Sequence, residues 1–249
     1  MILLKLAKVT QSKQQVALID KNKHCVIYEN QHYLWLQFGE VTQSLMLKRK
    51  PERLCLLYQQ MLAVVHIHFS PKKVLECGLG GGNINRFLNH KYPQALIRSV
   101  EPLSELIDCY QQYFNPLKSS LTIEVNHAEI VVNQSENHSL DWLILDVYIA
   151  GADAESTTQF YNEEFLQTAT NKLNQNAWLS INLPDINEPE LLDLLRSLRK
   201  IFSDNIWIAK VADCKNIIVH ALKSNEASQN INQNTFKTNR LWQEFKQIV

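Results

Sequence analysis

Glycine is scarce in this chain, six in 249 residues, and four of the six stand together in Gly78-Leu79-Gly80-Gly81-Gly82. An excess of positive charge is also lacking. The 25 Lys and Arg balance 25 Asp and Glu, and no basic block occurs, which argues against nucleic acid as a partner. The longest apolar runs are broken by charge or histidine, so no membrane span is expected. The opening Met1-Ile2-Leu3-Leu4-Lys5-Leu6 is too short for the apolar core of a signal peptide. A soluble cytoplasmic protein is expected. The five cysteines, Cys25, Cys55, Cys77, Cys109 and Cys214, are scattered and form no C-x-x-C pair. That pattern reads as free thiols and speaks against a disulfide framework or a zinc site. His66 and His68 read as a helix end, so no metal is expected. Internal repeats are absent.

What is present is concentrated around the glycines. Lys72 to Cys77 has an apolar core behind two lysines and reads as a strand. Asn83 to His90 carries Ile84, Phe87 and Leu88 at helical spacing. Strand, glycine loop and helix in that order expose backbone to a ligand, and the helix N-terminus is expected to offer it unpaired N–H groups. The dinucleotide pattern G-x-G-x-x-G fails, because its third glycine would fall at Asn83. The pattern found is Glu76-x-Gly78-x-Gly80-x-Gly82. A second strand, Ala95 to Val100, ends in Glu101, roughly twenty residues on, where a βαβ nucleoside site places the carboxylate that binds ribose hydroxyls. Glu101 can also cap the helix over 103–114.

Residues 1–50 read as a small domain of antiparallel β-hairpins, with strands at 15–19, 24–28, 32–36 and 41–47. A helix over 51–69 carries Leu54, Leu57, Tyr58, Met61, Leu62 and Val65 on one face. Strands and helices then alternate to residue 224. Strands are expected at 121–125, 140–146 and 177–183, helices at 160–173 and 188–202, and a closing hairpin at 206–211 and 216–222. The fold class expected is α/β, a mostly parallel seven-stranded sheet with an antiparallel C-terminal hairpin, preceded by the small β domain. Ligands bind over the carboxyl ends of such strands, where the glycine loop, Glu101, the 126–129 stretch and Asp146 all fall. Residues 225–249 read as a polar linker followed by a helix over 236–249.

At these residues the chain resembles the spermidine synthase family, the polyamine aminopropyltransferases, on a Rossmann-like class I methyltransferase fold. The resemblance runs from about Val26 to Leu222. It rests on Gln43-Ser44, on Tyr58-Gln59-Gln60-Met61, on Val74 to Asn83 with its G-L-G-G-G loop, on Val100-Glu101, on Leu143-Ile144-Leu145-Asp146, and on Phe160-Tyr161 with Phe165. It implies aminopropyl transfer from decarboxylated S-adenosylmethionine to a small-molecule amine. Asp146 and Tyr58 would be catalytic. Glu76, Gly78, Gly80, Gly82, Glu101 and His127 would hold the co-substrate. Gln43, Gln59, Tyr148 and Asp153 would hold the acceptor. Assembly as a homodimer is left open.

Three departures from the family accompany the resemblance. Gly81 stands where the family's loop Asp holds the aminopropyl ammonium. Ile149 stands where a second Asp binds the polyamine. His127, with Glu129 close by, replaces the Asp that reads adenine. Glu76 is more typical of methyltransferases that bind intact S-adenosylmethionine. Three readings therefore stay open: aminopropyl transfer, methyl transfer from intact S-adenosylmethionine, and nucleoside binding without catalysis.

Overall fold

The computed structural model describes residues 9–10, 12–20, 25–118, 122–147, 160–212, 214–224 and 240–248. The first element is an antiparallel sheet in chain order, β1 (Gln14–Asp20), β2 (Cys25–Glu29), β3 (Tyr33–Phe38) and β4 (Val41–Leu47). One face of it, with Cys25, Ile27, Leu34, Leu36 and Met46, packs on Leu79 and on Leu106, Ile107, Tyr110 and Phe114 of the following domain. The small sheet thus shares a core with the following domain and sits over its glycine loop.

Next come α1 (Leu57–Ala63), extended by a 3-10 turn through Ile67, then β5 (Lys73–Cys77), α2 (Asn83–Lys91) and β6 (Leu96–Glu101). They are followed by α3 (Ser104–Cys109), β7 (Thr122–Val125), α4 (Ala128–Gln134) and β8 (Leu140–Leu145). The chain continues through α5 (Glu163–Lys172), β9 (Leu173–Leu183), α6 (Glu188–Phe202), β10 (Ile206–Lys210) and β11 (Ile217–Lys223). The large sheet runs β7-β6-β5-β8-β9-β11-β10, with a two-residue β12 (Lys246–Gln247) added beyond β10. Pairings from β7 to β9 are parallel, and those of β11, β10 and β12 are antiparallel. The strand order reverses between β5 and β8, which opens the crevice where such sheets bind ligands. Leu143, Ile144, Leu145, Leu179 and Ile181 are fully buried, as central strands covered on both faces require.

Several local expectations are corrected. The helix expected over 51–69 begins only at Leu57, because Leu54, Cys55 and Leu56 are buried in non-helical backbone. The helix over 103–114 loosens into a π-turn at Tyr110–Phe114. The helix α4 is not among the expected elements; it is short, and its consecutive β-branched residues Ile130, Val131 and Val132 do not show helical spacing. The terminal helix expected over 236–249 is not formed within residues 240–248. There a 3-10 turn at Trp242–Glu244 leads into β12, which pairs with Trp207 and Ile208. Trp242 and Phe245 instead stack against each other and against His220, and the edge pairing and aromatic burial outweigh helical spacing. No described helix is long and apolar enough to cross a membrane.

Candidate active site

Strand register builds the site. Cys77 pairs with Val100 on one side and Leu145 on the other, so Gly78 emerges between Glu101 and Asp146. The fit there admits only glycine. Gly78 has φ +96°, and a Cβ on it would lie 2.0 Å from the Asp146 carbonyl oxygen. At Gly81 a Cβ would lie 2.6 Å from the Ser44 Cβ, so β4 fills the space that a side chain would need. Gly82 is pressed against the Tyr110 ring and begins α2.

The loop consumes its own donors. Gly78 N–H donates to the Val100 carbonyl (2.9 Å), Gly80 N–H to Glu101 Oε2 (3.2 Å), Gly81 N–H to Ser44 Oγ (2.8 Å) and Gly82 N–H to the Leu79 carbonyl (2.7 Å). These four N–H groups are therefore not free for a ligand, and any backbone donors must come from the helix N-terminus that follows. A pyrophosphate would find the four occupied, which agrees with the failed dinucleotide pattern.

The crevice is a cavity of about 1240 Å³, walled by β4, α1, the glycine loop and the ends of β6, β8 and β9. Among its described lining residues the charged groups are Glu40, Glu101, Glu129 and Asp146, and neither Lys nor Arg occurs. Glu101 is buried; besides Gly80 it accepts from Leu103 N–H (3.2 Å), so it ties loop to helix α3 while facing the cavity. Burial raises its pKa, and the backbone donors oppose the rise. Asp146 Oδ1 accepts from Asn182 Nδ2 (2.7 Å), and Asn182 Oδ1 accepts from Asn216 Nδ2 (2.8 Å). Burial lifts Asp146 to about 6 against the Asn182 bond. Opposite, the Tyr58 hydroxyl donates to the Gln43 carbonyl (3.2 Å) and accepts from Gln59 Nε2 (3.1 Å). Burial, then the nearby Asp146 charge, keep Tyr58 un-ionised far above its ordinary range.

Of the residues singled out from sequence, Asp146, Tyr58, Gly78, Gly80, Glu101, His127, Gln43 and Gln59 all line this cavity. His127 stands at its edge as the N-cap residue of α4. Glu76 and Gly82 are not on its wall. Glu76 is 1% exposed beneath the loop, where Ser99 Oγ donates to its carboxylate and Asn85 Nδ2 donates to that hydroxyl. Its carboxylate therefore lies beneath the loop, bonded to β6, and not on the cavity wall where contact with the co-substrate is expected. Tyr148 and Asp153 lie outside the described residues. Phe160 lines the cavity, with Tyr161 buried behind it. Asn182 and Asn216 are site residues that sequence reasoning misses. Asn182 has a readable signal, a lone amide in the apolar run Trp178 to Leu183 near a strand's carboxyl end; Asn216 has none.

The fold is shared with spermidine synthases and with a methyltransferase. A probable spermidine synthase from Corynebacterium glutamicum matches with a TM-score of 0.73 at 18% identity, over 95% of this chain and 90% of that one. A spermidine synthase in complex with the transition-state analogue AdoDATO matches with 0.63 at 17%, over 92% and 77%. Human methyltransferase-like protein 13 in complex with SAH matches with 0.62 at 19%, over 76% and 93%. No family model and no curated protein matches the sequence. At these identities the likeness is one of fold.

Proposed function

We propose that the protein is a group transferase that moves an aminopropyl group from decarboxylated S-adenosylmethionine to a small amine. The observation that carries this reading is the charge of the cavity: Glu40, Glu101, Glu129 and Asp146, with neither Lys nor Arg among the described lining residues. Both reactants are cations, a sulfonium and an ammonium, and such a wall attracts them. Its described residues include no Lys or Arg to meet the carboxylate that intact S-adenosylmethionine would bring. The spermidine synthase match also extends over 95% of the chain against 76% for the methyltransferase, which favours a fold complete with the β sheet above the crevice.

In this reading Glu101 accepts from the ribose hydroxyls, and the loop backbone passes beneath the nucleoside. Asp146 and the Tyr58 oxygen orient the ammonium. Asp146, with a pKa of about 6, takes the proton that frees the nitrogen lone pair and passes it to solvent. That lone pair attacks the carbon next to sulfur, the carbon–sulfur bond breaks, and its electrons stay on sulfur as neutral methylthioadenosine. Alignment within the cavity supplies much of the acceleration.

Methyl transfer from intact S-adenosylmethionine is the second reading. It is favoured by Gly81, since Ser44 leaves no room there for an acid that would repel the donor's carboxylate. Calorimetry with both donors and with methylthioadenosine decides between them, followed by a turnover assay across linear amines. Tighter binding of the decarboxylated donor, with amine-dependent release of methylthioadenosine, is the expected result. Tighter binding of the intact donor overturns the proposal in favour of methyl transfer, and binding without turnover leaves a nucleoside-binding protein.

A further inference from the structure

Beneath the acceptor wall a buried polar relay connects Arg86 to Tyr58. We infer that Arg86 sets the hydrogen-bonding direction of this relay, so that the Tyr58 hydroxyl meets the cavity only as an acceptor and selects a ligand that donates N–H. The inference rests on the proposed use of an amine acceptor.

The direction follows from two fixed ends. A guanidinium can only donate. Arg86 donates from Nε to the Pro51 carbonyl (2.8 Å) and from one terminal nitrogen to the carbonyls of Gly81 and Phe114. These bonds hold the group in place while its other terminal nitrogen donates to Asn83 Oδ1. The Asn83 amide is thereby oriented with Nδ2 toward Gln59, and Nδ2 donates to Gln59 Oε1 at 2.9 Å. Gln59 is oriented in turn, and its Nε2 donates to Tyr58 Oη. At the far end the Gln43 carbonyl can only accept, and it takes the Tyr58 proton. The phenolic oxygen has one proton and two lone pairs. Gln43 takes the proton and Gln59 one lone pair, so a lone pair is what remains for the cavity. Gln59, Asn83 and Arg86 are each buried, so water does not exchange into the relay and reverse it. An ammonium or amine N–H satisfies that lone pair, whereas an ether or ester oxygen meets it with repulsion.

Asn83→Asp perturbs the direction with almost no change of shape. A carboxylate at position 83 keeps the Arg86 contact but has nothing to donate to Gln59. The Gln59 amide must turn, and the Tyr58 proton is drawn to Gln59; a lone pair then faces the Gln43 carbonyl, and their repulsion displaces the phenolic oxygen from its place at the cavity. The experiment is a double-mutant cycle of Asn83→Asp with Tyr58→Phe. It measures by calorimetry the affinity for the tightest of a panel of linear primary amines in the presence of methylthioadenosine. Each single variant is expected to lose about tenfold or more in amine affinity, the scale of one hydrogen bond to a charged group. The double variant should be no weaker than the weaker single, and methylthioadenosine alone should bind all of them within about twofold of wild type. Asn83→Leu, which breaks the relay without adding charge, should show the same coupling to Tyr58→Phe. Losses that multiply in the double variants, or nucleoside affinity that falls in step, overturn the inference alone. Wild-type protein that binds methylthioadenosine but no amine overturns the proposed function together with it.

Discussion

Glu76→Gln tests whether the acid two residues before the first glycine supports the loop or touches the ligand. Burial raises the Glu76 pKa from 4.5 to about 8; the Ser99 bond opposes the rise and the Asp146 charge adds to it. A carboxyl whose folded pKa is raised is protonated more readily in the folded state, so it stabilises the fold at low pH. That stabilisation is complete below about 4.5 and is lost as pH rises through about 8. One pKa unit corresponds to about 1.4 kcal/mol, so the shift amounts to roughly 5 kcal/mol across the window. Glutamine keeps an acceptor for Ser99 Oγ but adds a buried NH2, costing about 1–3 kcal/mol at any pH. The variant should therefore be slightly less stable than wild type at pH 5, equal near pH 6, and more stable by roughly 2–4 kcal/mol at pH 9. Urea unfolding midpoints of both proteins from pH 5 to 9 measure the crossing. A difference that does not change with pH would mean that Glu76 titrates no differently folded and unfolded, and that its burial does not hold it protonated. A tenfold loss of methylthioadenosine affinity in the variant would return Glu76 to the ligand wall.

Asp146→Asn should leave donor affinity nearly unchanged while turnover falls by roughly 10²–10⁴, as for other lost acid–base groups. Wild-type amine affinity should decline as pH falls below about 6, where Asp146 becomes neutral, and the variant should lack that inflection; retained activity would remove Asp146 from the chemistry. Glu101→Gln should weaken methylthioadenosine by roughly 1.5–3 kcal/mol in calorimetry, and an unchanged affinity with a lower thermal midpoint would mark Glu101 as a tether of the loop only. Gly81→Asp should not create an ammonium site: the 2.6 Å approach to the Ser44 Cβ forces β4 to move, at about 1–3 kcal/mol. A chain of this size then loses several degrees in thermal midpoint, at about 2–4 °C per kcal/mol. Adding Ser44→Gly should recover part of that loss, and a gain in amine affinity at wild-type stability would contradict the packing argument.

Local sequence determined the alternation of strands and helices, the glycine loop, and the acids at the ends of β6 and β8. Each of these is written within a few residues, as periodicity, as glycine, or as an acid closing an apolar run. In a parallel sheet consecutive strands deliver their carboxyl ends to one edge, so strand order along the chain is enough to bring Gly78, Glu101 and Asp146 together. Tertiary structure alone decided which neighbours meet across long stretches of chain. Ser44 closes position 81 from β4, Asn182 and Asn216 orient Asp146 from β9 and the β10–β11 hairpin, and Arg86 reaches Tyr58 through Asn83 and Gln59. Glu76 shows the same division. Its place beside the glycines is plain in the sequence, yet alternation along β5 turns it beneath the loop, where Ser99 of the neighbouring strand meets it. The C-terminus shows it again: its helical spacing is real, but Trp242 and Phe245 pack against the aromatic rings of the sheet, Trp207 on β10 and the buried His220 on β11, which the sequence places far away.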